Sequence, residues 1–496
     1  MGNGLESSEN GDERGIGGVG VVQEIEVTQG NNRGGRKCKR LIKCATINAQ
    51  SLENKMSELR AMIGTTKPGI VSVTETWGKS EKPDSVYDLE GYNLYRNDRS
   101  DGYGGTILYI RKGIDQRVCR PLNTLGFDNS AWCWIIEKGG KKTLVGSIYR
   151  SPNSTEENNK LLLDKILLAN EIAGDNRVLI LGDFNLPNID WEEKELRRGA
   201  RRIEEQMLDV VNDCFLFQHV KEDTRFRNIQ ASSLDLIFTK EERDVKNIVV
   251  DEPLGGSDHG IVWADYVSEW RSRVVHKPRR MYSKGNYVKI NEELDQINWD
   301  EEFGSKSIHE CWIILKTKLE ELVNKYIPMS NPKDYNEPWM NNSLLKQWKK
   351  KYHAWKRYTA GKSYRKYEEY KKEANLLKKK IRQAKRAYEK KLAKGIRHNK
   401  RGFFKYVNKK LTVRPEISEM QNVNGVLVDN DKEIASIMGG YFNSVYKIPG
   451  NEDMPELNDM YEREINNIEI TRIDVQKRLE KLNVNKTCGP DNIHPW

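Results

Sequence analysis

Paired cysteines, long apolar runs and a signal peptide are all lacking from this 496-residue sequence. Its seven cysteines include no C-x-x-C pair, which argues against zinc ligands or a disulfide framework and indicates reduced thiols. The longest apolar runs have only the length of a strand, so we expect no membrane span. The first ten residues, MGNGLESSEN, do not show the basic-then-apolar order of a signal peptide. We therefore expect an intracellular protein without a membrane segment.

Positive charge is concentrated in one stretch of the chain. Residues 341–410 contain 26 Lys and Arg against 4 Glu, which is about +22, whereas the whole chain has a formal net charge of +10. The remainder of the chain is therefore near −12. A basic block beside an acidic region indicates a polyanionic partner.

Aromatic residues are interleaved with these basic residues. Lys and Arg can neutralise phosphates while aromatic rings stack on bases, so the stretch can bind nucleic acid. Equally, it can be a solvated helix whose aromatic residues pack on another domain, and the sequence leaves both interpretations open. The candidates for nucleic-acid contact are Arg150, Lys349, Lys350, Lys351, Trp355, Lys378, Lys379 and Lys380.

The stretch 178–191, VLILGDFNLPNIDW, has the clearest local pattern. Four apolar residues predict a buried strand, and Asp183 and Asn185 follow at its carboxyl end, where open α/β sheets place their chemistry. Side chains two residues apart point the same way, and a carboxylate with a carboxamide suits a phosphate beside a hard cation. Considered alone, this stretch fits an Asx-type turn that closes the strand as well as it fits a phosphate-and-cation site. A calcium loop fits worse, because Asn188 and Lys194 replace the required Gly and Glu.

The pattern of the remaining elements predicts the fold class. Many strands with few helices between them indicate two sheets packed face to face in an α/β sandwich. The predicted strands end at Asn48 and Glu75 or lie within 102–114, 131–136, 143–149, 234–238 and 261–267, and the predicted helices span 52–63, 158–173 and 201–214.

Composition divides the chain into five predicted segments. Residues 1–37 are rich in Gly, Asn and Glu without a period and predict a disordered tail. Residues 38–268 hold the strands. A connector, 269–340, has one helical patch from Cys311 to Tyr326 and precedes the basic helical region, 341–410. Residues 411–496 begin another unit.

Polar groups follow several predicted strands, and each alone is more often a cap, a turn or a packed residue. Together they form a set suited to hydrolysis. Glu75 can hold a divalent cation, and Asp183 can orient or deprotonate a water molecule. The side chains of Asn48, Asn185 and Tyr149 can donate to phosphate oxygens. Asp235 can fix the tautomer and charge of His259, which then stabilises developing negative charge.

Seven segments between about residues 40 and 267 carry a family resemblance: TINAQSL, SVTETW, GYGGTILYI, IYRSP, LILGDFN, SSLDLIF and GGSDHG. In this order they resemble the endonuclease/exonuclease/phosphatase superfamily, and within it the apurinic-type endonuclease of non-LTR, LINE-like retrotransposons near the jockey and chicken-repeat groups. The resemblance implies a DNase I-like four-layered αββα sandwich for 38–268 and Mg²⁺-dependent hydrolysis of phosphodiesters, with Mn²⁺ as a substitute ion.

The resemblance also implies roles for single positions. Matched motif by motif, the metal ligands are Glu75, Asn48 and Asp258. The catalytic residues are Asp183, Asn185, His259, Asp235 and Tyr149.

The C-terminal part is similar to the run that leads into a reverse transcriptase. PWMNNSL (338–344), the basic helix and NKTCGPDNIHP (485–495) carry this similarity, the last resembling the opening segment of the polymerase. The sequence contains no F/Y-x-D-D aspartate pair, so we expect no polymerase activity and interpret the chain as a truncated element or a partial gene model.

The leading hypothesis is a Mg²⁺-dependent endonuclease that nicks DNA to prime reverse transcription. DNA is the expected partner, with element RNA as a second partner of the basic region, and the expected location is the nucleus, with the cytoplasm as a further site. The alternatives are a phosphatase acting on inositol or other phosphoesters, and a non-catalytic nucleic-acid-binding remnant.

Overall fold

The computed structural model describes residues 40–99, 102–124, 126–227, 230–268, 280–330, 337–411, 420–428, 430–446, 470–484, 486, 488–489, 491 and 493–495. The predicted tail, 1–37, lies outside these residues. One compact unit lies within 1–274 and 335–418, and a second lies within 275–334 and 419–496. In the first unit, the basic helices group with the strands. The five predicted segment boundaries themselves stay predictions.

Two six-stranded sheets form the centre of the first unit. In spatial order, the first sheet contains β15 (Val245–Asp251), β16 (Ile261–Ser268), β1 (Arg40–Asn48), β2 (Ile70–Thr74), β4 (Thr106–Arg111) and β3 (Tyr92–Asn97). The second contains β11 (Phe217–Gln218), β14 (Asp235–Thr239), β8 (Arg177–Asp183), β7 (Lys142–Tyr149), β6 (Ser130–Ile136) and β5 (Gln116–Val118). Two short ribbons accompany them: β9 (Ile189–Asp190) with β10 (Glu195–Leu196), and β12 (Arg225–Arg227) with β13 (Gln230–Ser232).

Alternation along the central strands explains why the sheets stack. In β8, Leu179 and Leu181 belong to the core between the two sheets, whereas Val178 and Ile180 belong to the core beneath the helices of the second sheet. Successive side chains of a strand point to opposite faces, so a continuously apolar strand must be covered on both sides. This double burial produces the predicted sandwich.

Helices supply the two outer layers. α1 (Met56–Thr66) packs on the outer face of the first sheet. α3 (Glu156–Ala173) and α4 (Arg202–Asp213) pack on the outer face of the second sheet, and the short α2 (Arg120–Thr124) joins them. The order helix, sheet, sheet, helix is the four-layered αββα arrangement expected from the sequence.

A helical hairpin extends the first unit. α8 (Asn342–Gly361) and α9 (Tyr364–Lys394) run antiparallel after a tight turn in which Lys362 takes a left-handed backbone conformation, and α10 (Lys400–Leu411) follows. Leu377 and Ile381 of α9 pack with Ala61 of α1, so the hairpin rests on the layer above the first sheet.

The second unit contains α5 (Tyr287–Asp295), α6 (Trp299–Phe303), α7 (Ile308–Tyr326), β17 (Met420–Gln421), β18 (Leu427–Val428), α11 (Asp431–Val445) and α12 (Arg472–Glu480). Its small core joins Ile290, Leu322 and Ile327. The predicted helical patch from Cys311 to Tyr326 is part of α7, and the connector contains two further helices. Among all described residues, no helix combines the length and apolar character that a membrane crossing requires.

Candidate active site

The catalytic candidates lie at one edge of the two sheets because of the directions in which their strands run. β1 and β2 are parallel, as are β7 and β8, so Asn48 and Tyr149 lie at strand ends beside Thr74 and Asp183 respectively. β14 is antiparallel to β8 and pairs its first residue, Asp235, with Asp183. Residues separated by up to two hundred positions therefore converge at the same edge.

Backbone strain accompanies this edge. Glu75 and Asn185 have φ values of 48° and 50°, and Gln50 has 40°, all in the left-handed region that non-glycine residues rarely adopt. Each follows the carboxyl end of a central strand. Such conformations persist where the surrounding structure fixes them, and they cluster at functional sites.

The carboxylates of Glu75 and Asp183 are joined by the side chain of Asn48. Its Nδ2 donates to Glu75 Oε1 at 2.8 Å and to Asp183 Oδ2 at 2.7 Å, while its Oδ1 accepts from the Gln50 amide at 3.1 Å. The reverse amide orientation would place an oxygen against two carboxylates and leave the Gln50 amide without this acceptor. Asn48 therefore positions the two acids through its nitrogen, whereas the sequence predicted a metal ligand.

His259 and Asp235 form a buried pair next to these acids. His259 Nδ1 and Asp235 Oδ2 are 2.8 Å apart, and both side chains are almost fully buried. Burial lowers the pKa of His259, but the charge and hydrogen bond of Asp235, with Asp183 and Asp258, outweigh it and raise the pKa from 6.5 to about 9. The imidazole is therefore protonated at neutral pH, with Nδ1 hydrogen-bonded to Asp235.

Asp183 is the carboxyl most strongly perturbed by its surroundings. Burial and the charges of Asp235 and Glu75 raise its pKa, against the opposing charge of His259 and the hydrogen bond of Asn48. An acid held among like charges is stabilised by a cation or by a proton.

A divalent cation fits this cluster. Ligand atoms of Glu75, Asp183 and His259 all lie within 4.8 Å of one another. The two carboxylates offer the hard oxygen donors that Mg²⁺ prefers. The protonated imidazole is a hydrogen-bond donor and has no lone pair for a metal ion. We therefore assign the oxygen atoms of Glu75 and Asp183 to the cation and assign His259 to the stabilisation of negative charge.

Tyr149 and Asn185 border the same cluster. Burial and the negative charges of Glu75 and Asp183 raise the pKa of Tyr149, which keeps its hydroxyl protonated and able to donate. Asn185 donates from its backbone to Asp183 Oδ1 at 3.1 Å and from Nδ2 to the Arg150 carbonyl at 2.8 Å. Both lie where the sequence predicted them.

Asp258 differs from its predicted role as a metal ligand. Its Oδ1 accepts from Gln50 Nε2 at 2.5 Å, and its Oδ2 accepts from Arg225 Nε at 3.0 Å. Its Oδ1 is 3.8 Å from His259 Nε2. With both oxygens already engaged, Asp258 connects the His259 loop to Gln50 and Arg225 and lies outside the candidate metal cluster.

Three residues predicted to contact nucleic acid are buried in the protein. The Arg150 guanidinium donates to Asn159 Oδ1 at 2.9 Å and to the Asn185 carbonyl at 3.1 Å. Lys351 Nζ donates to Glu58 Oε1 at 2.8 Å, and the Trp355 ring is only 1% exposed. The prediction is corrected for Arg150, Lys351 and Trp355, because their polar or aromatic groups already have partners inside the fold.

The other basic candidates remain accessible to different degrees. Lys349, Lys350, Lys378 and Lys379 are exposed, so their predicted contacts with nucleic acid stay predictions. Lys380 is half-buried and donates to Gln347 Oε1 at 3.0 Å, which ties it to the neighbouring helix.

Two contributors to the site were missed by sequence reasoning. Gln50 holds Asp258, and no local signal indicated this role, because Gln50 lies beyond the end of β1 in a left-handed conformation. Arg225 also holds Asp258 and is paired by a backbone bridge with His259. The sequence around Arg225 gives no sign of this role, since the role depends on a ribbon that folds against the His259 loop.

Comparison with known proteins agrees with this arrangement. Residues 45–259, which include most of the two-sheet region, match the model of the Endonuclease/Exonuclease/phosphatase family. No curated protein sequence matches the chain.

Several solved structures are similar to part of the chain. The endonuclease domain of TRAS1, a telomere-specific non-LTR retrotransposon, is 18% identical over 46% of this chain and 100% of its own, with a TM-score of 0.38. The AP endonuclease LMAP from Leishmania major is 14% identical over 46% and 88%, with a TM-score of 0.39. The Xenopus laevis APE2 catalytic domain is 15% identical over 48% and 94%, with a TM-score of 0.34.

Proposed function

We propose that the first unit is a divalent-metal-dependent endonuclease that hydrolyses one phosphodiester linkage in DNA. The observation that supports this most directly is the buried juxtaposition of the Glu75 and Asp183 carboxylates, bridged by Asn48, with the His259–Asp235 pair. Members of the matched family are hydrolases of phosphoesters, and the set combines cation ligands, a proton acceptor and a donor for an anionic oxygen.

Glu75 would hold the cation, and Asp183 would lie next to it. When bound, Mg²⁺ supplies stabilisation of negative charge on a phosphoryl oxygen. Asn48 keeps both carboxylates oriented, and its amide hydrogens offset part of their mutual repulsion in the absence of a cation. Mn²⁺, which accepts the same oxygen ligands, is expected to substitute.

The residues with shifted pKa values indicate a route for proton transfer. Asp183 accepts a proton from the attacking water as the water oxygen bonds to phosphorus. Protonated His259 and the Tyr149 hydroxyl donate hydrogen bonds to phosphate oxygens, and Asp235 keeps the imidazole charged. The P–O3′ bond breaks, and the leaving oxygen takes a proton from solvent to become a 3′ hydroxyl opposite a 5′ phosphate.

DNA is favoured as the substrate because of the basic hairpin attached to the same compact unit. α8 and α9 carry a large excess of Lys and Arg, and a single small phosphoester gives such a surface nothing to bind. We infer that the 3′ hydroxyl left by the nick serves as a primer for reverse transcription, the role suggested by the retroelement-like motifs.

A plasmid-nicking assay tests the proposal. Wild type, Asp183→Ala and His259→Ala are incubated with supercoiled DNA in Mg²⁺ and in EDTA, with Asp213→Ala and His398→Ala as exposed controls of the same residue types. Nicked circles are expected with Mg²⁺ for wild type and both controls, with at least a roughly hundredfold lower rate for the site variants. Phosphate release from inositol phosphates without nicking would instead identify a phosphatase, and DNA retardation without either reaction would identify a binding remnant.

A further inference from the structure

Two exposed aromatic rings lie beside the acids of the candidate active site. Trp77 is 39% exposed and Tyr103 is 69% exposed, and their ring centroids are 5.7 Å apart in an edge-to-face arrangement. Large aromatic rings are usually covered, because burial removes much apolar area from water. A contiguous pair of rings that stays in contact with solvent at a cleft indicates a surface for binding a ligand.

Short contacts fix this aromatic pair next to Glu75 and Tyr149. Trp77 follows Glu75 by two residues, so their Cα atoms are at most about 7 Å apart. The Trp77 amide donates to the Gly104 carbonyl at 2.9 Å, which joins the two loops that carry the rings. A Cβ atom on Gly104 would lie 3.0 Å from Cε1 of Tyr149, so the backbone next to Tyr103 packs directly on the Tyr149 ring. The pair therefore borders both a proposed cation ligand and a proposed phosphate donor.

The loop that carries Trp77 is held in one conformation by its neighbours. The Thr76 amide donates to the Gly105 carbonyl at 3.4 Å, and the Thr76 carbonyl accepts from the Leu52 amide at 3.0 Å. Trp77 itself has a φ of 50°, a left-handed conformation that persists only where the surrounding structure maintains it. A ring on a fixed loop loses little conformational freedom when a ligand binds, so it suits stacking.

The position of the pair indicates which chemical group occupies it. Tyr149 is the proposed donor to a phosphate, and the flat group next to a phosphate in a nucleic acid strand is a base. A basic side chain also passes beside the same glycine, since Arg99 Cδ would lie 3.3 Å from a Cβ on Gly104. Aromatic rings beside a positive charge form the usual combination for holding a single nucleic acid strand.

We propose that Trp77 and Tyr103 form a stacking platform for a nucleobase adjacent to the scissile phosphate. This inference rests on the proposed function, because it assumes a DNA strand in the cleft. A base that is already unpaired reaches the platform most readily, since taking a paired base out of a duplex costs free energy. The platform therefore selects sites by the ease of unstacking. It is tolerant of sequence, because every base has a flat π face.

The test measures the binding of two short DNA duplexes, one fully paired and one with a single unpaired nucleotide. EDTA is present, so that hydrolysis does not interfere. Wild type is expected to bind the duplex with the unpaired nucleotide more tightly. Trp77→Ala and Tyr103→Ala are each expected to weaken this binding by about fivefold or more, because each removes a ring on which a base stacks. The double variant is expected to bind the two duplexes equally.

Tyr103→Phe and Phe215→Ala are the matched controls. Tyr103→Phe keeps the ring and removes only the hydroxyl, so it is expected to bind both duplexes like wild type. Phe215 is 84% exposed and lies away from the catalytic edge. It precedes β11, whose Phe217 pairs with Thr239, about 13 Å along β14 from Asp235. Phe215→Ala is therefore expected to leave both affinities unchanged.

Salt dependence separates stacking from a general loss of charge contacts. The alanine variants remove no charge, so the slope of log affinity against log salt is expected to equal that of wild type. Wild-type affinity in both alanine variants, an equal loss in Phe215→Ala, or a loss in Tyr103→Phe as large as in Tyr103→Ala would overturn the platform. Urea unfolding of Tyr103→Ala, whose ring is mostly exposed, is expected to match wild type, which keeps its binding result interpretable.

Failure of the proposed function has a different signature. Wild type would then not nick DNA in Mg²⁺, whereas the dependence of DNA binding on the rings of Trp77 and Tyr103 would persist. Nicking by wild type together with unchanged binding in both alanine variants would instead overturn the platform alone.

Discussion

His259 Nδ1 and Asp235 Oδ2 lie 2.8 Å apart, and both side chains are buried. Within the described part of the chain, the other carboxylate oxygen of Asp235 has no hydrogen-bond partner. Among the described residues, the side chain of Asp235 thus has its hydrogen bond with the imidazole of His259. This arrangement explains how a buried histidine can retain its proton at neutral pH.

Asp235→Asn is expected to reduce the loss of unfolding free energy that accompanies a rise to alkaline pH. Because the pKa of His259 is raised from 6.5 to about 9, the protonated pair stabilises the fold fully below pH 6.5, and this contribution is lost as the pH rises through 9. The variant should lose roughly 2–3 kcal/mol of unfolding free energy near pH 6 and much less near pH 10. Urea unfolding in EDTA measures both values, and an equal loss at both pH values would contradict the expected pairing.

Asp183→Asn is expected to stabilise the metal-free protein near pH 8. A carboxyl whose pKa is raised in the folded state loses stability as the pH rises above its unfolded value, until the folded group also ionises. Removing the charge should gain about 1–3 kcal/mol in EDTA. Thermal unfolding should also show that Mg²⁺ raises the Tm of wild type but not of the variant. A variant that is less stable than wild type in EDTA would argue against repulsion at this site.

Arg150→Met is expected to weaken the fold and leave DNA binding by the folded protein unchanged. The guanidinium is buried and donates to Asn159 and the Asn185 carbonyl, so its loss leaves polar atoms unsatisfied. We expect a loss of roughly 2–4 kcal/mol in urea unfolding, with exposed Arg198→Met as a control near zero. Normal stability combined with weaker DNA retardation would restore the role predicted from the sequence.

Lys351→Met is expected to detach the helical hairpin from the sandwich. Burial opposes the charged form of Lys351, but Glu252 and Glu58 outweigh burial and raise its pKa. Removing the ammonium leaves two buried acids without their counterion, which costs roughly 3–5 kcal/mol. Lys350→Met, at the exposed neighbouring position, should have little effect on urea unfolding. Adding Glu58→Gln and Glu252→Gln should recover most of the loss, and no recovery would place the defect elsewhere.

The central strands could be predicted because both of their faces are buried. The predicted runs 143–149 and 178–181 lie within β7 and β8, where apolar residues are continuous. The edge strands β3 and β15 were missed, since most of their residues are only partly buried or exposed and show no clear alternation. Edge strands are held by pairing with a neighbour, so their own sequence carries a weaker signal.

Sequence alone determined the chemical groups of the site and the strands that bear them. The order of the motifs sufficed, because Asn48, Glu75 and Asp183 lie at or just after strand ends that are marked by composition, and His259 lies in a Gly-rich loop just before a strand. Only the tertiary structure decided which charged residues have partners inside the fold. Lys351 contacts Glu58, which is 293 residues away in the sequence, and Asp258 contacts Gln50, which is 208 residues away. A basic or acidic residue looks the same in sequence whether it faces water or a buried partner. Its environment depends on distant segments that converge only when the chain folds.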